Sequence, residues 1–116
     1  TIEYANCGHP FAPILSGNEI YSKLETNNSL VGIFENMKIK TEKLELKENT
    51  SIVLYTDGAF EFFLDNELFG QKNLNSLISK YYQNSFFDIE NFYKNLSNLA
   101  SNQFQDDVVI MEIRKN

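Results

Sequence analysis

Arginine is all but missing from this chain: Arg114 is the only one among 116 residues. No cluster of guanidinium groups can therefore grip a phosphate bidentately, and any phosphate bound here must be held by bound cations or by groups outside the chain. Cysteine is just as scarce. A lone Cys7 excludes an internal disulfide and fits a reducing compartment, so a cytoplasmic setting is expected. Basic residues are outnumbered by acidic ones, 10 against 16, for a formal charge of −6 and a pI near 4.7. That balance argues against nucleic acid or an anionic membrane surface as a partner. No apolar run approaches the ~20 residues of a membrane span and no signal peptide is visible, so no membrane insertion of this segment is expected. The chain begins at Thr1, without Met, already in strand-like sequence, and the expectation is a piece of a longer polypeptide.

What is present suffices for one domain. Hydrophobic residues make up 42% of the chain, with ten Phe and six Tyr, enough for a sizeable core. Thr1 to Cys7 reads as a short strand. Phe11 to Leu15 and Glu19 to Lys23 flank Ser16-Gly17-Asn18, a hairpin signal. Met37 and Ile39 have one strand parity and Leu44 and Leu46 the other, so a strand with a bulge near Thr41 to Lys43 is expected. Ser51 to Thr56 is an apolar strand. Leu74, Leu77, Ile78 and Tyr81 recur at helical spacing, as do Ile89, Phe92, Leu96 and Leu99, with Asp88 as the N-cap of the second helix. Val108 to Arg114 is the last strand, with Val109, Met111 and Ile113 expected to face the core and Glu112 and Arg114 to face outward. The paired aromatics Phe62-Phe63, Tyr81-Tyr82 and Phe86-Phe87 read as packing residues. Strands, two helices and a returning strand make an α+β domain, two helices packed on an antiparallel sheet.

Two aspartates mark the ends of apolar strands. Asp57 closes Ser51-Ile52-Val53-Leu54-Tyr55-Thr56, and Asp106-Asp107 opens Val108-Val109-Ile110-Met111. A carboxylate where a buried strand reaches its rim suits metal ligation. Two carboxylates ~4 Å apart repel by roughly 4 kcal/mol at an effective dielectric of 20, a cost that divalent cations convert into binding. Oxygen ligands favour hard ions, so Mg²⁺ or Mn²⁺ is expected over zinc. The bland reading of Asp57-Gly58 is a turn, and that of Asp106 a solvated loop acid.

Five segments occur in a fixed order: Tyr4-Ala5-Asn6-Cys7-Gly8-His9-Pro10, Leu30-Val31-Gly32-Ile33, Leu54-Tyr55-Thr56-Asp57-Gly58, Asn66-Glu67-Leu68-Phe69-Gly70 and Asp106-Asp107-Val108. The series resembles the C-terminal half of the metal-dependent type 2C protein phosphatases, in the branch of stage II sporulation protein E and the stress-response sigma-regulator phosphatases. The resemblance implies part of an α-β-β-α sandwich, with residues 1–116 as the C-terminal part of the phosphatase domain and the N-terminal part absent. It also implies Asp57 and Asp106 as ligands of a binuclear Mn²⁺ or Mg²⁺ centre completed by residues outside this chain. Asp107 sits beside the second ligand, Glu61 matches an acidic position that holds a weaker metal in some relatives, and Gly58 follows the first ligand. His9 stands where eukaryotic relatives carry Asp. Its ring fixes the loop by hydrogen bonds, or it serves as ligand or acid–base group; both stay open. Asn6 is expected to bind backbone within its own turn, and Gly8 to shape that loop. A Cys7–His9 nucleophilic dyad is disfavoured, because Gly8 loosens the geometry and no arginine-rich phosphate loop follows.

The function implied is metal-dependent hydrolysis of phosphoserine or phosphothreonine on a regulatory protein such as an anti-sigma-factor antagonist. An upstream sensor or receiver domain is expected in the parent. The isolated chain is expected to be inactive, and to form a homodimer or aggregates through an apolar surface. The alternative is a non-catalytic signalling module that binds a partner in a partner-switching pathway.

Overall fold

Apolar residues on both faces of the central strands decide the architecture of this chain, seen in a computed structural model that describes residues 1–116. The strands are β1 (Ile2–Tyr4), β2 (Ala12–Ser16), β3 (Glu19–Leu24), β4 (Glu42–Leu44) and β5 (Thr50–Tyr55). A 3₁₀ turn at Asp57–Ala59 follows, then the short pair β6 (Phe63–Leu64) and β7 (Glu67–Leu68). Helix α1 (Gly70–Tyr81), the pair β8 (Tyr82–Gln83) and β9 (Phe86–Phe87), helix α2 (Ile89–Leu99) and β10 (Ile110–Lys115) complete the chain. The main sheet is antiparallel throughout, in the order β10-β5-β2-β3, and β1 pairs with β4 in a separate ribbon. The β2–β3 hairpin turns through Gly17 and Asn18, with φ of 60° and 70°. Two successive left-handed residues make the turn whose twist matches paired strands, which explains the Gly-Asn sequence.

Successive residues of a strand point to opposite faces. Leu15, Val53 and Tyr55 face the helices and pack with Leu74 and Ile78 of α1 and Phe92 and Leu96 of α2, together with Phe62, Tyr82 and Phe87. Ala12, Ile14, Leu24 and Ile52 face the other way, against Ile2, Tyr4 and Leu44 of the β1–β4 ribbon. The molecule is thus an α+β assembly, with two helices on one face of an antiparallel sheet and a small ribbon on the other. Helix α2 starts where the Asp88 carboxylate accepts from the Asn91 backbone N–H at 3.2 Å, a cap that contributes about 1 kcal/mol. Helix α1 lacks any such cap and carries no acidic residue in its first turn.

Three expectations need correcting. Only Glu42–Leu44 of the segment from Met37 to Leu46 is strand. The Asn28 side chain closes the preceding loop on Lys40, donating to its carbonyl at 2.8 Å and accepting from its N–H at 2.8 Å, so those backbone groups are spent on a side chain. The facing of β10 is the reverse of that expected. Ile110 lies opposite Tyr55, Glu112 opposite Val53 and Met111 opposite Leu54, and cross-strand partners share a face. Val108 and Ile110 therefore join the core under the helices, whereas Val109, Met111 and Ile113 are 54%, 52% and 45% exposed. Glu112 tolerates the inward side because it accepts from Ser51 Oγ at 2.6 Å and pairs with Arg114 at 2.9 Å. Finally, Phe63 and Phe86 are exposed, since alternate residues of a two-residue strand point opposite ways, and the Arg114 guanidinium lies 4.9 Å from the Phe86 ring centre. Phe62, Tyr82 and Phe87 are buried as packing residues.

The helix-side core carries the stability. Phe92→Ala should cost about 3–5 kcal/mol in urea unfolding, because Phe92 is fully buried. Val31→Ala should change stability by less than about 0.5 kcal/mol, since Val31 is 75% exposed.

Candidate metal centre

The end of β5 and the approach to β10 are tied together by one hydroxyl. Thr56 Oγ1 donates to the Asp107 carbonyl at 3.0 Å and accepts from the Val109 N–H at 2.9 Å, and the Thr56 N–H donates to the Val109 carbonyl at 3.1 Å. Asp57 follows at once and starts the 3₁₀ turn, its carbonyl accepting from Phe60 and Glu61. Gly58 lies against the opposite loop. A Cβ there would collide with the Asp107 carbonyl oxygen and reach 3.0 Å from that of Asp106. The glycine is thus set by close approach between the two loops, not by a left-handed φ.

The third wall is the loop after β1. Asn6 is buried, and its Oδ1 accepts from the backbone N–H groups of Gly8 at 3.2 Å and His9 at 2.8 Å. Its Nδ2 donates to the carbonyls of His9 at 3.1 Å and Leu24 at 3.3 Å. One amide therefore holds the whole turn, with Gly8 at φ 107° under the Leu30 side chain, where no Cβ fits. The His9 Nε2 does not fix the loop by a hydrogen bond: it is buried and has no hydrogen-bond partner. Burial pushes the His9 pKa below the usual value, and the Asp57 carboxylate pulls the other way. The ring centre lies 6.3 Å from that of Tyr55.

These three walls enclose an open cleft of about 290 Å³ lined by Gly8, His9, Pro10, Thr56, Asp57, Gly58, Asp106 and Asp107. Three carboxylates line it without a lysine or arginine, and none of them takes part in an ion pair. The donor set is all hard oxygen apart from the imidazole, and Cys7 lines a separate pocket of about 150 Å³ with Tyr4, Asn6, His9 and Leu54. That chemistry fits Mg²⁺ or Mn²⁺. No group of three or more His, Cys, Asp or Glu side chains converges as a complete ligand set. One oxygen of Asp106 is already engaged, accepting from the Asp107 N–H at 2.8 Å. Glu61 is exposed one turn beyond Asp57 and does not line the cleft. No hydrogen bond joins His9 Nε2 to Cys7, as a nucleophilic dyad would require.

Thr56 and Pro10 stand in the motif segments, yet neither is expected from the sequence to line the site. A hydroxyl residue directly before the strand-end aspartate was the available signal for Thr56. Pro10 carries none, since it is recruited only by the turn that Asn6 holds.

His9 is the only histidine, which makes its titration readable without assignment. Its C2–H resonance should titrate with a midpoint below the usual 6.5, and Asp57→Asn should lower that midpoint further by removing the opposing charge. Because the folded pKa is depressed, the unfolded chain takes up the proton first, so this group destabilises the fold as pH falls through 6.5. Gly58→Ala should cost about 1–3 kcal/mol by forcing the two loops apart.

The family model described as stage II sporulation protein E (SpoIIE) matches residues 1–116. Phosphoserine phosphatase RsbU of Bacillus subtilis (strain 168) is 28% identical over 115 residues, which covers 97% of this chain and 34% of RsbU. Among solved structures, the PP2C phosphatase domain of SpoIIE from Bacillus subtilis with a fragment of its regulatory domain superimposes with a TM-score of 0.73 at 17% identity, covering 97% of this chain and 33% of that one. The manganese-presoaked phosphatase domain of the same protein gives 0.66 at 16% identity, covering 94% and 48%. At those identities the structures speak for the fold, an α+β phosphatase-domain architecture. The chain spans about a third of RsbU and no more than about half of the solved SpoIIE chains. Matched along its whole length, it belongs to the stage II sporulation protein E family, and its fold is that of part of the SpoIIE PP2C phosphatase domain.

Proposed function

We propose that residues 1–116 are the C-terminal part of a type 2C phosphatase domain that hydrolyses phosphoserine or phosphothreonine on a regulatory protein. The observation that carries this reading is the cleft at the Thr56 clamp, where three carboxylates stand without any cationic side chain. Asp57 and Asp106 would hold Mn²⁺ or Mg²⁺, with Asp107 and Gly58 beside them, and the remaining ligands would come from a preceding part of the domain. When bound, such a cation pair supplies charge stabilisation for a phosphoryl group and makes a water molecule more acidic. The chain's own residues do the rest. Thr56 and Gly58 hold the two aspartates in one register, and Asn6 sets the wall opposite. His9, kept neutral near pH 7 by burial, adds a hydrogen-bonding group without adding positive charge. Hydrolysis then adds water to phosphorus and returns the proton and electron pair to the departing serine or threonine oxygen.

The likeness to RsbU supports a phosphoserine protein in a partner-switching pathway as substrate, an anti-sigma-factor antagonist being the kind of protein meant. We place the enzyme in the cytoplasm with a sensor or receiver domain upstream. No helix is long and apolar enough to cross a membrane. Val109, Met111 and Ile113 give the isolated chain a surface for homodimers, because they line the open edge strand of the main sheet. A partner-binding module without activity is favoured only by the incomplete ligand set of this segment.

Two measurements test the proposal. Full-length protein should release phosphate from phosphoserine proteins only with Mn²⁺ or Mg²⁺, and Asp57→Asn or Asp106→Asn should lower the rate by at least about a hundredfold. A folded, metal-loaded protein that is inert across a broad phosphoprotein panel leaves the binding-module reading in its place. In sedimentation, the isolated 116-residue chain should run as dimers or larger species, and Met111→Lys should shift it towards monomer. A wild-type monomer would contradict the edge assignment.

A further inference from the structure

Beside the acidic cleft lies a second one of opposite character. It has a volume of about 390 Å³, and its walls include Phe11, Lys23, Gln71, Lys72, Asn75 and Ser79. No carboxylate lines it, although acidic residues outnumber basic ones in the chain 16 to 10. Its floor is a closed hydrogen-bond network. Tyr55 Oη lies 3.0 Å from the Phe11 carbonyl and 2.9 Å from Asn75 Oδ1, its one hydrogen serving either acceptor, and Gln71 Nε2 donates to Tyr55 Oη at 2.8 Å and to the Phe11 carbonyl at 3.2 Å. Asn75 thus spends its carbonyl oxygen inward, and what it offers a ligand is its NH₂ donor. Lys23 lies 4.6 Å from the Phe11 ring centre and 3.5 Å from Glu25, while Lys72 pairs with no acid.

The two clefts are lined by consecutive residues of one loop. Gly8, His9 and Pro10 line the acidic one and Phe11, next in the chain, the basic one, and Tyr55, whose hydroxyl lies 3.0 Å from the Phe11 carbonyl, stands two residues before Asp57. A peptide whose phosphoserine occupies the acidic cleft can therefore place residues a few positions away in the basic one, at ~3.3 Å per extended residue. We infer that this lysine-lined cleft docks an acidic stretch of the substrate protein next to its phosphoserine. The inference rests on the phosphatase reading, and it names what that reading leaves open, the character of the sequence around the scissile phosphate. Two lysines at a rim act mainly on encounter and on discrimination, and their effect falls with salt.

The test uses full-length protein with Mn²⁺ and two phosphoserine peptides of equal length, one with acidic flanks and one with neutral flanks. Hydrolysis is measured by kcat/KM and binding by fluorescence anisotropy, with p-nitrophenyl phosphate as a substrate that has no flanks. The acidic peptide should be preferred about tenfold at low salt, and the preference should shrink as salt rises. A Lys23→Glu/Lys72→Glu double variant should lose it, with p-nitrophenyl phosphate turnover unchanged. A Lys23→Gln/Lys72→Gln variant should lose most of it, which separates lost attraction from added repulsion. If the double variant keeps the preference, or if neither assay shows one, the docking inference is overturned. If no phosphate is released from any substrate but the acidic peptide still binds through the lysines, docking stands and the hydrolase reading falls.

Discussion

The Thr56 hydroxyl accepts from the Val109 N–H and donates to the Asp107 carbonyl, so the end of β5 and the start of β10 behave as one unit. Everything proposed for the cleft depends on that link. Each hydrogen bond adds only about 1 kcal/mol, but their joint effect is geometric. Asp57 is bonded to Thr56, and Asp106 adjoins the residue whose carbonyl Thr56 holds. Gly58 removes the one side chain that would keep the loops apart. Two aspartates from distant parts of the chain thereby reach one cleft without either touching a cation. Mutual repulsion would drive them apart in a looser scaffold. Here the backbone brings the two aspartates to one cleft, and a divalent cation bound there would offset any repulsion between them.

The same strands serve a second demand. The main sheet is apolar on both faces, one under the helices and one partly under the β1–β4 ribbon. Beyond the ribbon's cover, Val109, Met111 and Ile113 remain half exposed on the open edge strand. A polypeptide that continues the sandwich would bury them, at roughly 25 cal/mol for each Å² of apolar surface removed from water. The proposed metal centre and the half-exposed edge strand would both be served by one further stretch of polypeptide, as the preceding part of the domain proposed above would supply.

Much of this was legible in the chain itself. Helix α2 could be read from Ile89, Phe92, Leu96 and Leu99 with the Asp88 cap, and the β2–β3 hairpin from Gly17-Asn18, because local spacing and local turn chemistry fix both. The facing of β10 was not legible. Its residues are apolar at both parities, and only the pairing of Ile110 with Tyr55 decides which side turns inward. The segment from Met37 to Leu46 misled because its alternation competes with Asn28, a side chain nine or more residues away that captures the Lys40 backbone. At the candidate site, the strand-end aspartates stood out by position. The unpartnered imidazole of His9 and the clamp at Thr56 did not, since both arise from contacts between loops far apart in sequence.

Asp57 and Asp106 are proposed to share one metal centre. Anomalous diffraction from Mn²⁺-soaked crystals of the full-length protein tests it most directly. A shared centre would give a peak within metal–oxygen bonding distance, ~2.1 Å, of carboxylate oxygens from both residues. Manganese bound elsewhere, or contacts to only one of the two aspartates, would contradict it.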